Sequence, residues 1–258
     1  SYTTYIKIIK ICMNLKSVKI MNEFWEFEFE TGYYDKILEK GLIKNRGLQA
    51  GWHNITLLKL NKYIEENNVH LDYACGPGTL IGKYVKKASL GVDLSKDQID
   101  YATNKYSQYG EFRTISELDI SNYENHFDVI TIAGLLEFIK PKEAVKLILN
   151  LQKSLKKNGR IILTTPNYGG SFKFIQKLAY LFSGLNYDKA LVTKYNSNLL
   201  KSLNLEKHFK YVSIKKVITI GWLLSFINFD LGNRMNEYCE KIVNYKFGYL
   251  FLIEIKRE

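Results

Sequence analysis

The sequence predicts a doubly wound α/β sheet of seven strands, mostly parallel with an antiparallel C-terminal strand. Three observations predict it. From Val69 onward, short apolar runs alternate with helical patterns as far as "RIILTTP" at 160–166, the signature of a parallel sheet covered on both faces. A glycine turn, "LDYACGPGTL" at 71–80, breaks the first apolar run just after an acid. The last third changes character, with two strand-like runs separated by a long helical stretch.

The elements follow in order. Residues 1–20 are basic and poorly patterned. "FWEFEFETGYYDKILEKGLI" leads into "LQAGWHNITLLKLNKYIEEN", where Trp52, Ile55, Leu58, Leu60 and Tyr63 recur at about helical spacing. Residues 1–64 are therefore expected to form a helical N-terminal extension capping a domain over 65–258. "VHLDYA" reads as the first strand and "GTLIGKYVKKA" as a helix. "SLGVDLS" is the second strand, with Ser95 placed to cap the helix "KDQIDYATNKYSQY". "EFRTIS" is a short third strand and "FDVITIAG" a buried fourth. "PKEAVKLILNLQKSLKK" is a helix with Pro141 in its first turn and Gly159 at its end. "RIILTTP" is the fifth strand. "NSNLLKSLNLE" is helical, "HFKYVSIKKVITI" is the sixth strand, and "YLFLIEIKR" alternates as an edge strand does. The stretch between the last two is too long for a hairpin turn and is expected to be a helical insertion over 220–243.

Bulk properties exclude more than they select. The chain has 258 residues, 46% apolar and 24% charged, enough for one large domain with a substantial core. No apolar run approaches the ~20 residues of a membrane span. The N-terminal "YIKIIKICM" is interrupted by Lys7 and Lys10 and has no small-residue cleavage site, so no signal peptide is expected. Cys12, Cys75 and Cys239 lie far apart and form neither a metal pattern nor a disulfide framework, which points to a reducing cytoplasm. The net charge of +11 invites an anionic partner. It is carried mostly by Lys, however, and Arg is the residue suited to bidentate recognition of phosphates and bases. A solvated lysine coat accounts for it, and nucleic acid is not the expected partner.

The glycine turn carries the chemistry. In a doubly wound sheet the ligand sits beyond the carboxyl ends of the strands, where strand order reverses. Gly76 and Gly78 let the backbone approach it closely. Asp93 ends the second strand, where a carboxylate can accept both hydroxyls of a ribose. This geometry serves NAD(P) or S-adenosylmethionine. The dinucleotide fingerprint needs a third glycine where this chain has Ile81, and Asp72 is no part of that fingerprint.

"LDYACGPGTL", "GVDLSKDQIDYA", "FDVITIAGLLEFI" and "SLKKNGRIILTTPN" together resemble, in order and spacing, the nucleotide-binding motifs of class I S-adenosylmethionine-dependent methyltransferases, most closely the small-molecule and quinone-type branch. The resemblance covers roughly residues 65–215 and implies a Rossmann-like fold with S-adenosylmethionine as cofactor and S-adenosylhomocysteine as product. It implies that Asp72, Cys75, Gly76 and Gly78 line the methionine end. Asp93 would bind the ribose, with Leu94 beneath the adenine, and Asp119 would face the adenine amino group with Ile120 beside it. The backbone from Ala133 to Leu135 would close over the methionine portion. Departures are Tyr73 and Ala74 where small residues are usual, Thr79 for a common third glycine, and Phe138 where a histidine is frequent. The last removes a general base that relatives can use.

Methyl transfer is an in-line displacement, so alignment in a dry pocket supplies much of the catalysis and a base is optional. The expected acceptor is a small molecule, a lipid-linked group or a sugar, methylated on oxygen or nitrogen. Acceptor-side candidates are Tyr33, Tyr34, Trp52 and His53 in the extension and Tyr168 and Tyr195 after the fifth strand, with His53 and Tyr34 as the catalytic candidates. "TIAG" stands where methyltransferases acting on DNA base amines carry an [N/D]PP[Y/F]-type motif, which argues against such an acceptor. "GWLLSFINF" concentrates Trp222, Leu223, Leu224, Phe226, Ile227 and Phe229. It reads as core or dimer packing, as a lid over a greasy acceptor, or as a peripheral membrane contact. An RNA methyltransferase and a cofactor-binding, non-catalytic scaffold are the alternatives.

Overall fold

The computed structural model describes residues 30–170, 172, 175 and 191–257. The basic start of the chain, Cys12 and the rest of the extension before residue 30 lie outside the described residues, as does the segment 176–190. The elements are α1 (Tyr33–Lys44), α2 (Leu48–Asn61), β1 (His70–Tyr73), β2 (Ser89–Asp93), α3 (Lys96–Tyr106), β3 (Gly110–Thr114), β4 (Phe127–Ala133), α4 (Pro141–Ser154), β5 (Leu155–Pro166), α5 (Ser197–Ser202), β6 (Tyr211–Val217), α6 (Phe229–Ile242) and β7 (Leu250–Lys256).

The seven strands form one sheet in the order β3-β2-β1-β4-β5-β7-β6. β1 to β5 pair in parallel, and β7 lies antiparallel between β5 and β6. Strand order therefore reverses between β1 and β4, which fixes the ligand-binding crevice of such a sheet at their carboxyl ends. One face packs Leu71, Ile130, Ile132, Leu163, Phe251 and Ile253 under α4 and α5. The other packs Val129, Ile162 and Leu252 against the α2 residues Ile55 and Leu60.

Three local expectations change. β7 is an interior strand, buried from Leu250 to Ile255, because apolar cores lie on both of its faces. The edge is β6, whose exposed Tyr211, Ile214 and Lys215 suit a half-solvated strand. The helix after β4 stops at Ser154 and the chain turns straight into β5. Gly159 thus lies in β5, beside a register shift opposite Phe127, where a Cβ would come within 3.0 Å of two carbonyl oxygens. The helix after the glycine turn is one six-residue π-type turn, Leu80–Val85, closed by the Lys86 N–H donating to the Ile81 carbonyl at 2.8 Å. Other boundaries match local chemistry. The Ser95 hydroxyl accepts from the Gln98 N–H at the start of α3, and Pro141 opens α4.

Two polar clamps attach the helices that flank the crevice. Asp35 of α1, fully buried, accepts from Tyr101 Oη at 2.9 Å, Tyr106 Oη at 2.8 Å and Lys105 Nζ at 2.7 Å, all on α3. α6 turns Gly232, Asn236 and Glu240 inward. Asn236 Oδ1 accepts the Thr219 N–H at 2.7 Å. Glu240 accepts the Ile218 N–H at 2.8 Å, the Asn236 amide at 2.8 Å and Lys59 Nζ of α2 at 2.6 Å.

Candidate active site

β1 ends in an acid and runs into a turn that winds left-handed at Ala74, Gly76 and Gly78, with φ of 63°, 51° and 72°. The two glycines do different work. Above Gly76 there is open space, with nothing within 4 Å of where a Cβ would stand. At Gly78 a Cβ would stand 2.7 Å from Phe112 and 2.9 Å from Ala102, so this glycine lets the turn pack on β3 and α3. Ala74 adopts a glycine-like backbone with a side chain attached, at a cost of about 1–2 kcal/mol. Ala74→Gly is therefore expected to stabilise the protein by about 0.5–1 kcal/mol after the added unfolded-state entropy, read as an upward shift in the urea midpoint at unchanged slope.

Asp93 holds the turn in place. Its Oδ2 accepts the Gly76 N–H at 2.9 Å and its Oδ1 the Ser95 N–H at 2.9 Å. Burial pushes its pKa up, and the N–H groups of Ser95, Gly76 and Leu94 pull it back. A carboxylate has about four acceptor positions, so two remain for a ligand.

Asp72 is the end of a buried relay. Thr131 Oγ1 lies 2.7 Å from Asp72 Oδ1, His70 Nε2 is 2.8 Å from Thr131, and His70 Nδ1 is 3.1 Å from Ser89 Oγ. Because Thr131 donates to Asp72, His70 must donate from Nε2 and accept at Nδ1 from Ser89. Burial holds the imidazole neutral, with its pKa near 3, and raises the Asp72 carboxyl to about 7. A second buried acid, Glu137, lies just past β4. Its Oε2 accepts from Thr165 Oγ1 at 3.0 Å, its Oε1 lies 3.5 Å from where a Cβ on Gly134 would stand, and burial raises it to about 7. Its carbonyl accepts the N–H groups of Val192 and Thr193, which ties the returning chain to this edge.

The other expected residues divide. Leu94, Ala133 and Leu135 are half-buried at the carboxyl ends of β2 and β4, beside the crevice. The Cys75 side chain joins the apolar cluster of Ile81, Ile99, Ala102, Tyr106 and Phe112, so any part this residue takes in lining the turn falls to its backbone. Asp119 is exposed and caps the short turn Ile120–Tyr123, accepting from the Ser121 N–H at 3.0 Å and hydroxyl at 2.6 Å. His53 and Tyr34 come together with ring centroids 4.9 Å apart. Desolvation lowers the His53 pKa to about 4, so it is neutral and a weak base. Trp52 packs on Trp222 and Phe172, and Phe172 on Tyr168, forming an aromatic wall. Trp222 Nε1 and the Tyr195 hydroxyl are buried without a partner among the described residues. Cavities of about 380 and 600 Å³ lie elsewhere, beside β7 and at the amino edge of β1–β4, and touch none of the turn residues.

His70, Thr131 and Glu137 escaped the sequence reading, although each left a mark. His70 stands two residues before Asp72 and so shares its face of the strand, Thr131 is the polar interruption in "VITIA", and Glu137 is the lone acid in "LLEFI".

Residues 71–161 match the family model described as a methyltransferase domain. A curated relative, carboxy-S-adenosyl-L-methionine synthase 1 of Yersinia pseudotuberculosis serotype IB, is 28% identical over 126 residues, 44% of this chain and 52% of that protein. The chain thus spans about half the length of the curated relatives it matches. The Haemonchus contortus phosphoethanolamine N-methyltransferase 2, solved with phosphomonomethylethanolamine and S-adenosylhomocysteine, superposes with a TM-score of 0.59 at 14% identity, covering 92% of this chain and 60% of that one. Magnesium protoporphyrin IX methyltransferase from Synechocystis, with bound S-adenosylhomocysteine, gives 0.51 at 15% identity over 98% and 99%. At these identities the superpositions speak for the fold.

Proposed function

We propose that residues 71–161, which match the model of a methyltransferase domain, belong to the class I, S-adenosylmethionine-dependent family, and that this chain transfers a methyl group to oxygen or nitrogen of a small organic acceptor. The observation that carries the reading is the Asp93–Gly76 clamp: a carboxylate at the end of β2 holds the glycine turn by its N–H, with open space above the turn, at the reversal of strand order.

The residues present fit the cofactor. Asp93 keeps acceptor positions for two ribose hydroxyls, Gly76 leaves room for close backbone approach, and Asp72, with Oδ1 engaged by Thr131, keeps Oδ2 for an ammonium group. When bound, S-adenosylmethionine supplies an electrophilic methyl group on a sulfonium. The chain's own contribution is placement. Tyr34 and His53 stand on the helices that flank the crevice, and half-buried Trp52, backed by the buried Trp222 and Phe172, offers an apolar edge to an acceptor's body. A histidine with a pKa near 4 suits orienting a hydroxyl or amine by hydrogen bonding better than removing its proton. His53→Ala is expected to lower turnover at saturating acceptor by about tenfold while leaving cofactor affinity within twofold, a modest loss because alignment dominates.

The test is calorimetric titration with S-adenosylhomocysteine, with NADH as control, followed by transfer of labelled methyl to a panel of phenols, amines and carboxylates. Binding of NADH in place of S-adenosylhomocysteine would overturn the reading.

A pH dependence accompanies it. Asp72 titrates near 7 in the folded chain and near 4 when unfolded. It therefore retains its proton in the folded state, and its contribution to stability is greatest below about pH 4 and declines as pH rises through 7. For an ammonium-bearing ligand the ionised carboxyl is the better partner, so S-adenosylhomocysteine affinity is expected to rise between pH 6 and 8. Asp72→Asn should flatten that rise and increase the urea midpoint at pH 8. A slope unchanged in the variant would assign the titration to Glu137.

A further inference from the structure

α6 is built inside out. An amphipathic helix on a water-soluble domain buries its apolar stripe and exposes its polar one. Here the inward face is Phe229, Gly232, Asn236 and Glu240, apolar only in its first turn, and Asn236 and Glu240 are satisfied by the hydrogen bonds to Thr219, Ile218 and Lys59 described above. The outward face is Leu231, Met235, Tyr238 and Ile242, spaced 4, 3 and 4 residues apart and therefore in one line along the helix. Ile242 is 64% exposed and Tyr238 61%.

The stripe does not stand alone. Ile220 adjoins its middle, since Gly221 packs on the backbone of Met235 and Asn236. Phe226 and Ile227 precede its first turn. Ile43, 81% exposed, ends α1 where the Asn45 carbonyl accepts the Phe229 N–H at 3.0 Å. "GWLLSFINF" thus splits by function. Trp222 and Phe229 are buried, and Phe226 and Ile227 face outward.

The charge around the patch identifies its occupant. Over residues 41–46 and 220–247, Lys44, Arg46, Arg234, Lys241 and Lys246 make no ion pair among the described residues. Of the acids there, Glu237 pairs with Lys62 and Glu240 with Lys59, which leaves Asp230. We propose that the α6 face is an interfacial membrane anchor, which lays Leu231, Met235, Tyr238 and Ile242 into the headgroup–acyl boundary of an anionic bilayer while the surrounding cations meet lipid phosphates. A helix of 14 residues is about 21 Å long, suited to lying in the interface plane and too short to cross it. Tyr238 presents an apolar ring and a polar tip, the chemistry of the interfacial belt. A second copy of the chain is the poorer occupant, because an antiparallel two-fold contact along this helix would bring Arg234 of each copy toward Lys241 of the other, between two molecules of net charge +11.

The inference is independent of methyl transfer, and its test uses no cofactor. The intact protein is centrifuged with vesicles of phosphatidylcholine alone and with 30% phosphatidylglycerol, beside the variant L231Q/M235Q/I242Q, whose three substitutions lie on the exposed face. The expected result is co-sedimentation with the anionic vesicles that is weakened on the order of 10- to 100-fold in the variant. Raising salt to 0.5 M should weaken it further by screening the rim cations. An unchanged Tm and far-UV circular dichroism spectrum in the variant would show that the fold is intact. The proposal is overturned if the parent binds no vesicles, or if the variant binds as well as the parent, which would leave only the lysine coat. It is equally overturned if sedimentation velocity finds a dimer that the variant abolishes.

Discussion

Asp93→Ala is expected to weaken S-adenosylhomocysteine binding at least ~100-fold, to below calorimetric detection. Two hydrogen bonds from ribose hydroxyls to a carboxylate contribute about 1.5–3 kcal/mol each. Their joint loss is roughly 3–6 kcal/mol, and each 1.4 kcal/mol is tenfold in affinity. The substitution also frees the N–H groups of Gly76 and Ser95, which Asp93 holds at 2.9 Å, so the turn loses the anchor that sets its distance from β2. Asp93→Asn separates the two effects. It retains one acceptor oxygen but turns an amide NH₂ toward one of two donors, so it should also lose affinity, though less than the alanine variant. Thermal unfolding distinguishes a lost ligand contact from a lost fold. An alanine variant that binds within threefold of the parent would remove Asp93 from the site.

Glu240→Ala is expected to have the largest effect on stability, about 3–5 kcal/mol. Glu240 is 1% exposed and satisfies three donors: the Ile218 N–H, the Asn236 amide and the Lys59 ammonium. Removing it leaves a buried backbone N–H without an acceptor and a mostly buried cation without a partner, and breaking such a pair costs far more than the pair contributes on balance. At about 2–4 °C per kcal/mol for a chain of this size, Tm should fall by roughly 10 °C. Because Lys59 is on α2, which also carries Trp52 and His53, the variant should lose acceptor turnover before it loses cofactor affinity. A Tm drop under 2 °C would mean that α6 is held by apolar contacts alone. Glu240→Gln, which keeps the acceptor for Ile218 but drops the charge, should fall between the two.

The parallel half of the sheet was legible because its signals are local. Buried strands read as short apolar runs, Ser95 and Pro141 mark helix starts by their own chemistry, and Asp93 follows the glycine turn at the spacing of one β–helix–β unit. What failed was non-local. "YLFLIEIKR" alternates in sequence, yet β7 is interior because a second apolar layer, from α2 and Trp222, covers the face its polar residues would otherwise show to water.

By itself the sequence determined the class of fold and the place of the glycine turn between its two acids, Asp72 and Asp93, since each depends on residues within a few positions of one another. The tertiary structure alone decided which polar residues act together. His70, Thr131 and Ser89 come from three strands, and their hydrogen-bonded line to Asp72 exists only through the register that sets Asp72 opposite Thr131. It alone decided that Tyr34 meets His53 and that α6 faces outward with its apolar side. Helical periodicity shows that a helix has two faces, but which of them meets water depends on what the rest of the chain places beneath it. Under α6 the chain places a lysine and two backbone N–H groups, which require the polar face.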